Sequence, residues 1–161
     1  MFKKKVSMEE FVQGIYMLGY NQYNHLIEWF NSREIEVENN QMFFLCELII
    51  TKIMEKVSKE KKFKLNGNLT DEITELLHKS IDSSTTTSDR EILENYISVV
   101  KDDIHSLIGD GSKKIVDLVD FFLSEITWDT EHENDIRLFL VNLFGEWQNI
   151  CCEFTAKFKI I

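Results

Sequence analysis

Ile136-Arg-Leu-Phe-Leu-Val-Asn-Leu-Phe-Gly-Glu-Trp-Gln-Asn-Ile-Cys-Cys-Glu-Phe154 decides the reading of this chain. Its polar residues Asn142, Glu146, Asn149 and Glu153 recur at helical spacing, and most of the rest is Leu, Ile, Val, Phe, Trp or Cys. A helix with so thin a polar stripe must be covered on more than one side, by other helices of its own chain or by a second copy. The segment Ile115–Ile126 repeats the pattern, its polar stripe reduced to Lys113, Asp117, Asp120 and Ser124.

Outward from there, helical periodicity continues almost without interruption. It predicts helices near 8–18, 20–31, 40–58, 70–81, 89–108 and 112–126, and a seventh and longest from about 130 to 157. Three starts carry a capping box, Ser7 with Glu10, Ser88 with Glu91 and Thr130 with Glu133. Proline is absent, where average usage gives about eight, so no helix lacks an internal N–H. Asn39-Asn40, Asn66-Gly67-Asn68, the Ser/Thr-rich 82–88 and Gly109-Asp110-Gly111 supply the turns. The tail from Phe154 to Ile160 alternates with period two yet also keeps a helical face, leaving helix and strand both open. The expectation is an all-α fold: an irregular bundle of six or seven helices, the long C-terminal one near the centre, within a single domain spanning 1–161. The Ser/Thr tract makes 82–89 a flexible loop or hinge.

Twenty-eight acidic against 18 basic residues give a formal charge of −10, opposite to what phosphate neutralisation requires, so the charge argues against nucleic acid. The acidity is lopsided. Residues 1–80 carry 11 Lys/Arg and 12 Asp/Glu, residues 81–161 carry 7 and 16. Cys46, Cys151 and Cys152 are an odd number set in apolar runs, as in a reducing cytoplasm, and no apolar stretch is long enough to span a membrane.

The chemistry-bearing motifs argue more against enzymes than for one. Glu75-x-x-His78 and Asp102-x-x-His105 have the ligand spacing of carboxylate-bridged di-metal bundles and are the metal candidates, although the helical wheel puts them on solvated faces. His25 and His132 also fall on polar sides, and Glu47 aligns with Asn40, Phe44, Thr51 and Glu55 on what reads as an outer face. Gly109–Lys113 lacks the spacing of a phosphate loop, and Asn66–Glu72 lacks the glycine of a calcium loop. Phe11–Phe30 outlines two short helices about Gly19, a helix-turn-helix without a base to hold phosphate. Lys52, Lys56, Lys59, Lys61, Lys62 and Lys64 read as a solvated helix end able to meet an anion.

The function expected is therefore a non-enzymatic cytoplasmic interaction or regulatory protein, with no catalytic residues and no cofactor, whose acidic half engages a basic protein partner. The candidate contacts are Asp117, Asp120, Asp129, Glu131, Glu133 and Asp135, with Asp110 and Glu125 beside them. The alternatives are a bundle holding a metal or small ligand in its core, and a helix-turn-helix regulator. A homodimer through the last two helices would also satisfy their apolar sides.

Overall fold

Ser7 begins the first helix as the capping box predicts: its hydroxyl accepts from the Glu10 amide and the Glu10 carboxylate accepts from the Ser7 amide. In the computed structural model, which describes residues 3–81, 85–108 and 115–161, that helix, α1 (Met8–Ser32), runs on through Gly19 without a break. The two short helices expected about Gly19 are thus one helix, and no helix-turn-helix forms there. The reason lies in the packing: Gly19 is where the Glu47 carboxyl approaches closely, and a helix tolerates one glycine at a cost of about 1 kcal/mol.

Helices α2 (Met42–Glu60), α3 (Leu69–Ser80), α4 (Thr87–Ile108), α5 (Ile115–Glu125) and α6 (Glu133–Lys157) follow, so the chain is an all-α bundle with six α-helices among the described residues. Two of the expected starts differ. Thr86 caps α4 by accepting from the Asp89 amide, so Ser88 and Asp89, expected in a hinge, already lie in its first turn. Asp129 caps a 3-10 turn over Thr130–His132 that leads into α6, in place of the Thr130–Glu133 box. Residues 82–84 of the expected loop, and Gly109–Lys113 with Asp110, lie outside the described residues.

Helix α2 forms the axis. Every residue from Phe44 to Met54 is buried, because α1, α3, α4 and α6 pack around it. Helix α6 lies directly against α2 and also packs on α5; Ile136, Leu140, Leu143, Phe144, Trp147 and Cys151 are on its buried face. Phe144 and Trp147 are each 1% exposed, and the Trp147 Nε1–H donates to Gln22 Oε1 of α1 at 2.9 Å. The apolar breadth of the last two helices is therefore covered largely within the chain.

Two short ladders, outside the expected helices, tie the connections together. β1 (Lys4–Val6) pairs in parallel with β4 (Phe158–Ile160), which settles the tail after Lys157 as a strand. β2 (Val37–Glu38) pairs antiparallel with β3 (Thr127–Trp128), joining the α1–α2 connection to the chain between α5 and α6. Behind the first ladder, Phe11 stacks on Phe63 at 5.2 Å and meets Phe154 and Phe158, so both ends of the chain share one aromatic cluster.

Candidate functional site

The acidic residues expected to meet a partner are gathered around the start of α6. Asp129, Glu131 and Asp135 are exposed there, with the Asp129 carboxylate accepting from the Glu131 amide at 3.0 Å. Two others are engaged. Arg137 binds Asp120 of α5 through Nη1 and Glu133, one turn back, through Nε at 3.0 Å, so one guanidinium fastens α5 to α6. Asp117 is exposed on α5. Glu125 is half-buried, and burial raises its pKa first, the neighbouring Asp103 second.

Beside these carboxylates lies an aromatic shelf that the charge pattern did not reveal. Trp29 of α1 stacks on Phe139 of α6 with centroids 4.0 Å apart and planes 6° from parallel. The Arg33 guanidinium covers the Trp29 ring at 4.3 Å, and His25 meets the Phe139 edge at 6.2 Å. Trp29, Arg33, Asp135, Leu138, Phe139 and Asn142 line a groove of about 320 Å³. Leu138 is 64% exposed at its rim, a large apolar side chain among the otherwise mostly polar exposed positions of α6. The sequence signal was available in the i, i+4 spacing of Trp29 and Arg33 and in Leu138-Phe139, but only the crossing of α1 with α6 brings them together.

The metal candidates do not assemble. Glu75 is exposed and paired with Lys79, which holds its carboxylate below the ordinary range, while Asp102 is exposed on α4. Among the described residues no three His, Cys, Asp or Glu side chains gather as a metal site. His105 is exposed but sits with Nδ1 3.3 Å from Lys52 Nζ. His78, expected on a solvated face, is half-buried, and its Nε2 is sealed from solvent without a hydrogen bond.

Glu47 is the larger departure. It lies fully buried between α1 and α2, not on an outer face, and neither carboxylate oxygen has a hydrogen bond of ordinary geometry. Burial pushes its pKa up to about 9, opposed only weakly by the Tyr20 backbone amide, so it is a neutral acid at physiological pH. Its neighbours are Cys46, whose thiol burial raises further, and the tyrosines about Phe43, whose ring meets Tyr16, Tyr20 and Tyr23 edge-on. No protein-family model, curated protein or solved structure matches this chain.

Proposed function

We propose that the protein is a non-enzymatic interaction protein of the reducing cytoplasm, and that the shelf of Trp29, Phe139 and Leu138, bordered by Asp135, Glu131 and Asp129, receives a basic, amphipathic protein segment. One observation carries the reading: a large apolar side chain, Leu138, stands 64% exposed beside a stacked aromatic pair and a carboxylate. Aromatic and apolar anchors ringed by charge are where binding energy concentrates, and carboxylates of one sign steer a cationic partner to them.

The test compares wild type with Leu138→Asp and with a triple reversal of Asp129, Glu131 and Asp135 to Lys, using affinity purification from the native cell and quantitative mass spectrometry. Leu138 is exposed, so Leu138→Asp is expected to stay within about 0.5 kcal/mol of wild-type stability, whereas the triple reversal also loses the Asp129 cap and sets three lysines at the N-terminal end of α6, and is expected to cost about 1–3 kcal/mol while staying folded. The reading requires one basic protein retained by wild type and lost by both variants, with an association rate that falls steeply as salt rises. Identical interactors for all three chains would sink it. Sedimentation of the pure protein separates the homodimer: self-association lost in Leu138→Asp makes the partner a second copy.

A further inference from the structure

We propose that the groove enclosed by α2, α3 and α4 is a binding site for a small organic anion, a monocarboxylate with an apolar body held by Lys52. This site shares no residue with the acidic shelf and stands independently of it.

The sequence presents a lysine-rich helix end, and the fold treats one of those lysines unlike a solvated one. Lys52 is 8% exposed, within α2, where a charge is rarely enclosed unless it is partnered. Its ammonium donates to Glu55 Oε2 at 3.1 Å and approaches His105 Nδ1 of α4 at 3.3 Å. An ammonium has three donors and no acceptor, so beyond its contacts with Glu55 and His105 one Lys52 N–H is left over.

Glu55 is already committed. Its Oε1 accepts both the amide of Thr70, at 3.0 Å, and the Thr70 hydroxyl, at the start of α3. It therefore holds the Lys52 head in place and caps a helix, with little capacity to spare for a cationic ligand. Lys59 adds a second positive charge on the groove wall, so Lys52 and Lys59 against Glu55 leave a single positive charge, which one carboxylate neutralises. A dianion would bring a further charge against Glu55.

The apolar wall comes from how α2 ends. Lys62 takes a left-handed conformation, φ 52°, and the Phe63 amide returns to the Ser58 carbonyl at 2.8 Å, a terminating turn that folds Phe63 back alongside the helix. Phe63 and Leu65 then face Lys52, Lys59 and His105 across a groove of about 650 Å³, within the size range of small-molecule sites. At its floor the Ser58 hydroxyl is enclosed without a hydrogen-bond partner, a polar atom that a ligand acceptor reaching the floor would satisfy.

The probes are sodium benzoate, benzyl alcohol and inorganic phosphate, titrated into the 161-residue protein and followed by amide chemical shifts. Fragments of this size commonly bind at about millimolar, so the titration extends to tens of millimolar. Benzoate is expected to saturate, with shifts at 52–69 and around His105. Binding should be weaker by at least about tenfold for benzyl alcohol, and for benzoate in Lys52→Met. Because Lys52→Met removes a buried partner of Glu55, the exposed His105→Glu serves as the second variant and should lose benzoate binding to the same extent. Failure to saturate, equal binding of benzyl alcohol, tighter binding of phosphate, or unchanged affinity in a folded His105→Glu would each overturn the assignment.

Discussion

The Glu47 carboxyl of α2 rests on the bare Cα of Gly19 in α1, so that a methyl group added at position 19 would overlap the carboxyl carbon and both its oxygens. The glycine is thus paired with the acid. It lets the two helices close over a group that, once enclosed, keeps its proton.

Gly19→Ala tests that pairing because two effects oppose each other. Alanine gains about 1 kcal/mol of helix propensity, whereas overpacking a filled core costs about 1–3 kcal/mol. Since Glu47 is fully buried and has nowhere to swing, overpacking is expected to win. Urea denaturation should show net destabilisation, largely relieved in the double variant Gly19→Ala, Glu47→Ala relative to additivity; a more stable single variant would refute the close fit.

The same carboxyl makes stability depend on pH with a defined sign. The folded protein holds a proton up to about pH 9 that the unfolded chain releases above 4.5. Glu47 therefore contributes fully below 4.5 and is increasingly unfavourable as pH rises toward 9, at about 1.4 kcal/mol per pH unit. Tyr16 and Cys46 face it and stay neutral across this window, both raised by burial first. Glu47→Met should remove the slope and gain in stability on wild type progressively as pH rises from 4.5 toward 9. Parallel pH–stability curves for the two proteins would refute it.

Trp147 joins α6 to α1 by packing and by a hydrogen bond at once. Trp147→Ala should cost about 3–5 kcal/mol, as should Phe144→Ala at its 5.6 Å contact with Phe122. Trp147→Phe should cost less, because it keeps most of the packing and loses the bond to Gln22, while leaving the Gln22 acceptor a route to solvent. Denaturant midpoints check all three.

The cysteines should divide by burial. Cys46 and Cys151 are fully enclosed, and burial pushes the Cys151 thiol up to about 12, whereas Cys152 is partly accessible. A thiol reagent should label Cys152 in the native protein and the other two only on unfolding. Rapid native labelling of Cys151 would show that α6 opens locally.

The helices were legible because apolar residues repeat with a helix's own period: α3 lies within one residue of its expected bounds, and counting charge along the chain located its acidic half. Periodicity gives an angle around a helix axis, but it does not say how many neighbours surround that axis. Asn40, Thr51 and Glu55 made the Glu47 side of α2 read as solvated, yet with four helices packed about α2 that side is interior: Thr51 donates to the Glu47 carbonyl and Glu55 caps α3. Gly19 read as a break because its reason lies on a different helix. Trp29 and Phe139, and likewise Lys52 and His105, are far apart in sequence, so their meeting was a consequence of helix packing alone. Local sequence determined where the chain coils and where its charge collects; the crossing of the helices decided which polar groups lost their water.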